Sequence, residues 1–313
     1  MQDRRTVLLF SGQGSQYFQM GRELFEGDLH FRSRLLELDA FARPLLGASV
    51  VEELYGAGRE VGAPFDQIAM TGAAIIMVEL AVTETLRARG IIADTALGVS
   101  LGSYAAAVVC GCIRAEDALT AAIAMARIVA ERCQPGGMTA ILADSSSLLG
   151  TPLLDGLEVA AINSECHFVV SGLRAPLESL ERRLAERRIT FQRLAVRYAF
   201  HSRWLDPAET ACRDALALLR PQPAAVPFVC CIEGQPLEHI EGRYFWRVAR
   251  APIRFAEAIA TLERSGLHRY IDAGPSSSLA ATLKYARPSS ALHIDSILSP
   301  FAGDLRRLHT LSP

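Results

Sequence analysis

Lysine is almost missing from this chain: Lys284 stands alone against 31 arginines, a bias that reflects coding composition rather than chemistry. The formal net charge is only -2, and no long run of like charge interrupts the sequence, so the electrostatic footprint of nucleic-acid binding is lacking. The seven cysteines, at 110, 112, 133, 166, 212, 230 and 231, form no Cys-x-x-Cys pair and have no histidine at metal-ligand spacing. This argues against a zinc module and fits a reducing cytoplasm. No apolar stretch near Met1 is long enough for a signal peptide, and none approaches the ~20 residues of a membrane span. A cytoplasmic protein without membrane contact is expected.

What is present is apolar mass. Half of the 313 residues are hydrophobic and 21% are charged, enough for a large core in one big domain or two modest ones. The run 6–10 (TVLLF) reads as a buried strand ending in a glycine-rich turn, with a helix beginning near Tyr17. Residues 71–89 are long, apolar and free of proline before Gly90, a buried helix with a glycine stop. Residues 95–99 then read as strand, Ser100 as turn and 104–110 as helix. This alternation indicates an α/β layer with a parallel sheet.

From 137 to 196 the pattern changes. Strands are expected at 138–142, 159–163, 168–172 and 191–196, with a charged amphipathic helix at 176–188. The middle two strands are a hairpin's distance apart, so the segment is a small antiparallel α+β insert. A late strand at 269–273 follows it.

Gly98-Val99-Ser100-Leu101-Gly102 fits G-x-S-x-G. A serine on a sharp strand-to-helix turn needs small residues two positions either side so that the backbone can pass. The following helix start also aims N–H groups at a developing oxyanion. A serine nucleophile needs a base, and seven histidines compete: His30, His167, His201, His239, His268, His293 and His309. Residue physics favours His201 only mildly, through its loop after a predicted strand.

Six segments in order, Phe10 to Gln16, Gly98 to Gly102, Gly137 to Ile141, Asn163 with 169–172, Ala199-Phe200-His201-Ser202 and Asp272-Ala273-Gly274-Pro275, resemble the acyltransferase family of fatty-acid and polyketide synthesis, which includes malonyl-CoA:acyl-carrier-protein transacylases. The resemblance implies an α/β-hydrolase-like core with a parallel sheet, residues 1–136 and 197–313, plus an inserted ferredoxin-like α+β subdomain, residues 137–196. It implies that Ser100 is the nucleophile and His201 the base, oriented by a backbone carbonyl near Arg254. The oxyanion hole would be the N–H groups of Gln13 and Leu101. No metal or organic cofactor is implied. The acyl group would arrive on the phosphopantetheine of an acyl carrier protein, or on coenzyme A.

Three departures matter. Val99 replaces the family's histidine before the nucleophile, Thr71-Gly72 replaces Gln-Pro, and Met125 falls where malonyl-specific members keep a carboxylate-binding arginine. Arg127 cannot serve instead, because two residues along a helix is about 200° of rotation. Met125, Val99, Thr71, Phe200, Tyr198 and Asn163 are therefore expected to line a pocket for acyl groups without a free carboxylate. Members lacking that arginine resemble the acyl hydrolases of trans-acyltransferase polyketide synthases, which clear stalled acyl units from carrier proteins. A transacylase is the alternative and an inactive carrier-binding scaffold the remote one. Carrier proteins are acidic, so Arg182, Arg183, Arg187 and Arg188, with Arg193 and Arg197, are candidates for a docking rim.

Overall fold

The computed structural model describes residues 4–266, 268–286 and 293–312. Its strands are β1 (Arg5–Phe10), β2 (Thr95–Gly98), β3 (Gly136–Leu142), β4 (Glu158–Ser164), β5 (His167–Leu173), β6 (Thr190–Arg193), β7 (Phe228–Cys230), β8 (Gln235–Leu237), β9 (His268–Asp272) and β10 (His293–Ser296). They form two sheets, one of order β10-β9-β1-β2-β7-β8 and one of order β4-β5-β3-β6. In the first, β10, β9, β1, β2 and β7 run parallel, and β8 closes the edge antiparallel. Helices on its faces explain why β1 ends in four consecutive buried residues rather than alternating.

The Ile68–Ala88 helix packs among other helices, chiefly Leu29–Leu46, Ala115–Arg132 and Gly102–Val109. By length and composition it would span a bilayer, contrary to the expectation that no segment could, yet 83% of its most apolar stretch is buried inside the fold. The expected helix at Tyr17 begins only at Arg22. Gln19 and Gly21 hold φ of 72° and 73°, a left-handed conformation that no helix can pass through.

The second sheet is antiparallel throughout. Its chain order, strand, short helical turns, hairpin, helix, strand, is the split βαβ arrangement of ferredoxin-like domains. Side chains alternate across it, as a strand's period of two requires. Ile141, Phe168 and Val170 pack with Leu177, Leu180 and Leu184 of the Arg174–Glu186 helix into a separate small core. Met138, Ala140 and Val169 face the other way, into a cleft against the large sheet. The last strand stops at Arg193 rather than continuing to 196.

Candidate active site

The site lies where β1 and β2 end side by side, the carboxyl edge at which open parallel sheets place their ligands. Ser100 follows β2 with φ of 55°, the strained turn expected for an exposed nucleophile. The flanking glycines are explained by crowding: a Cβ on Gly98 would lie 2.4 Å from Ser103 Cα, and one on Gly102 would lie 2.2 Å from the Phe10 carbonyl oxygen. The Gly102–Val109 helix starts immediately after Leu101, so its positive end points at Ser100.

Of the described histidines, His201 is the one that meets the serine. Ser100 Oγ lies 2.8 Å from His201 Nε2, and His201 Nδ1 lies 2.8 Å from the Ala251 carbonyl. A carbonyl only accepts, so Nδ1 carries the proton and Nε2 is left to accept from the Ser100 hydroxyl. The orienting carbonyl is thus that of Ala251, not of Arg254. The reason is where the Tyr244–Arg250 helix ends: Ala251 is extended, with ψ of 152°, before Pro252, and carbonyls of that terminus have no intrahelical partner. Ala249 takes the His201 N–H at 2.8 Å. Arg254 instead donates its own N–H to Cys231 and pairs its side chain with Glu257. Burial pushes His201 down to about 4, only partly offset by the Ala251 and Val248 carbonyls. The ring is therefore neutral near pH 7, as a base must be.

The loop after β1 presses on the serine turn: a Cβ on Gly12 would lie 2.9 Å from Ser100 Cβ. Gln13 is next in sequence, and neither its N–H nor that of Leu101 donates to an acceptor among the described residues. Two uncommitted donors beside a nucleophile are what an oxyanion hole requires. The loop is locked from beyond: Gln16 accepts the Gly14 N–H and donates to the carbonyls of Phe65 and Ala195.

Two cavities meet at Ser100. One, about 50 Å³, is lined by Met125 and Phe200 as expected, and also by Gly72, Tyr104, Phe245 and Val248. The other, about 170 Å³, is the cleft between the sheets, where Val99, Asn163, Phe200 and His201 converge with Met138 and His167. No lysine or arginine lines either one among the described residues. Arg127 is exposed and donates to the Leu45 carbonyl, as the helix rotation required.

Two expected pocket residues lie elsewhere. Thr71 is fully buried and donates to Gln13 Oε1, so it braces the loop, while its neighbour Gly72 meets the pocket. One step along a helix is about 100° of rotation, enough to exchange the two roles. Tyr198 lines a separate depression with Arg174, Arg193 and Arg197. Sequence reasoning missed Tyr104 and Phe245, whose rings stack at 4.1 Å, and the Tyr104 hydroxyl donates to Met125 Sδ at 3.2 Å. Tyr104 was findable one helical turn after Ser100; Phe245 carried no local signal.

The arginine rim is also displaced. Arg182, Arg183, Arg187 and Arg188 belong to the helix and turn on the face of the small sheet opposite the cleft, because the apolar stripe of that helix packs on Ile141, Phe168 and Val170. Arg193 pairs with Glu181 and Arg197 with Asp66.

A family model for the acyl transferase domain matches residues 7–307. The polyketide biosynthesis acyltransferase homolog BaeD of Bacillus velezensis is 42% identical over 297 residues, covering 94% of this chain and 92% of that protein. The polyketide biosynthesis acyltransferase homolog PksD of Bacillus subtilis is 41% identical over 307 residues, covering 97% and 95%. A solved loading acyltransferase from the avermectin modular polyketide synthase superposes with a TM-score of 0.88 at 25% identity, over 97% of this chain and 98% of that one. A serine turn with its histidine, on this sheet and across nearly the whole matched length, leaves one conclusion: the chain belongs to the acyl transferase domain family.

Proposed function

We propose that this protein hydrolyses acyl thioesters on acyl carrier proteins of a polyketide synthase, removing acyl groups that carry no free carboxylate. The observation that carries the reading is the absence of any cation around Ser100 among the described residues: both cavities there are lined by apolar and neutral side chains, with Met125 in the inner one. A substrate carboxylate would be desolvated there without a partner, which a simple alkyl chain avoids. The relatives BaeD and PksD support the polyketide setting.

In this reading Ser100 Oγ attacks the thioester carbonyl carbon while His201 Nε2 takes the hydroxyl proton. The C–O bond forms, the carbonyl pair moves to oxygen, and the Gln13 and Leu101 N–H groups hold that oxyanion. Such donors are typically worth about 2.7–4 kcal/mol each. Collapse breaks the C–S bond, and the thiol leaves with the proton from His201. Water then attacks the acyl-Ser100 ester, gives its proton to Nε2, and the acid departs as Ser100 regains its hydrogen. A carrier thiol could follow the same path, since nothing in His201 or its carbonyl distinguishes thiol from water.

The test is intact-protein mass spectrometry of butyryl-carrier protein incubated with the enzyme and a large excess of empty carrier. Free acid and two empty carriers are expected. Quantitative butyryl on the second carrier would make the protein a transacylase, and an untouched first carrier would remove the activity altogether.

A further inference from the structure

Beneath the Gln13 loop lies a carboxyl group that the chemistry above does not use. Glu79, on the Ile68–Ala88 helix, is fully buried. Its Oε1 accepts the Ser11 backbone N–H at 2.6 Å and faces the Ser11 hydroxyl at 3.3 Å, while its Oε2 is buried with no hydrogen-bond partner. No cation offsets it, and the group that faces it electrostatically is another buried acid, Asp272, which accepts the Gly274 and Ala280 N–H groups. An unpaired oxygen in such a place is tolerable on a neutral acid and very costly on a carboxylate.

Ser11 occupies a controlling position. Phe10, just before it, takes the Val99 N–H on its carbonyl at 2.8 Å, and Gly12, just after it, touches the serine turn. Gln13 follows at once. The loop is held at its far end by Gln16, so the Glu79 contact is the near pin of the same span.

We infer that Glu79 is a positioning residue, a neutral carboxylic acid that clips the Ser11 N–H and thereby sets the Gln13 backbone against Ser100. This rests on the proposed acyl transfer through Ser100. A donor displaced by about 1 Å costs on the order of 100-fold in rate, so a single buried clip has leverage. The neutral state also makes a distinguishing demand: the isosteric amide should serve as well as the acid.

The experiment compares wild type, Glu79→Gln and Glu79→Ala in turnover of butyryl-carrier protein and in hydrogen exchange of the peptide spanning residues 11–16. Glu79→Ala is expected to lower kcat by about 10- to 100-fold with KM within about twofold, and to speed exchange in that peptide by about 10-fold. Glu79→Gln should restore both readouts to nearly wild-type values. A Gln variant as impaired as Ala would mean that the charge matters, and an Ala variant with unchanged kcat and exchange would remove the clip; either overturns the inference. If wild type turns over no thioester, the functional reading fails while the exchange arm still decides the clip. If Glu79→Ala does not fold, the Gln variant alone decides.

Discussion

Ser100 and His201, whose side chains meet at 2.8 Å, both hold left-handed backbone, with φ of 55° and 60°. Neither is glycine, and each conformation costs roughly 1–2 kcal/mol for a residue bearing a Cβ. The site therefore stores strain in the two residues that face each other, and relaxing it separates stability from chemistry.

Ser100→Gly should remove turnover and yet stabilise the fold. Relief of about 1–2 kcal/mol is partly offset by the extra unfolded-state entropy of glycine, leaving about 0.5–1 kcal/mol. Urea denaturation measures it. A variant less stable than wild type would show that the turn is not strained.

The pH dependence follows from His201, held down to about 4 by burial against an ordinary value of 6.5. The base stays neutral on acidification, so kcat/KM should be flat through pH 6.5 and fall only toward about 4. Between those values the unfolded chain binds the extra proton, so this group's stabilising contribution shrinks as pH falls, by up to about 1.4 kcal/mol per unit. Asp272, pushed up to about 6 by burial, has the opposite sign and loses its contribution as pH rises through that value. Comparing wild type with His201→Gln by denaturation at several pH values isolates the histidine. A kinetic inflection near 6.5 would count against a buried base.

Acyl selectivity should follow Met125. Acetyl and butyryl thioesters are expected to react faster than malonyl by roughly a few hundred- to a few thousand-fold, the kinetic equivalent of about 3–5 kcal/mol for an unpaired buried charge. Met125→Arg should narrow that ratio, measured as kcat/KM for the two thioesters. Equal rates for wild type would restore an ordinary malonyl transferase.

The backbone origin of the histidine's partner makes Arg254 dispensable. Its side chain and that of Glu257 are about half exposed, 51% and 55%, a setting in which ion pairs contribute about 0.2–1 kcal/mol. Arg254→Ala should leave kcat within about twofold. A loss as large as that of His201→Ala would return the orienting role to residue 254.

Gly102→Ala places a Cβ 2.2 Å from the Phe10 carbonyl oxygen, rigid backbone at the centre of the sheet. Relief must move β1 or the serine turn, costing about 1–3 kcal/mol and much of the activity. Thermal unfolding and turnover of the same preparation check both effects, and an unperturbed variant would deny the close approach.

The elements carrying strong local patterns were legible in the chain. The β1 run, the long apolar helix, the serine turn and the hairpin of the insert all appear within a few residues of their expected places, because periodicity and glycine placement act over short distances. Tyr17 misled because left-handed residues at 19 and 21 are invisible to hydrophobic spacing. Thr71 misled because helix rotation about one position decides which side chain meets the cavity, and that rotation is set by packing.

The chemistry is legible in the residues alone: a serine with a glycine two positions to either side, a histidine between Phe200 and Ser202, and methionine rather than a cation at position 125. Folding in three dimensions settles which carbonyl of a helix end turns to His201, which face of the small sheet looks into the cleft, and that the buried Glu79 meets the Ser11 N–H beneath the Gln13 loop. Those relationships join residues far apart in the chain or lie across a sheet, as Ala251 from His201 at 50 positions and Glu79 from Ser11 at 68. Contacts of that range are fixed by packing the whole core, and no local pattern encodes them.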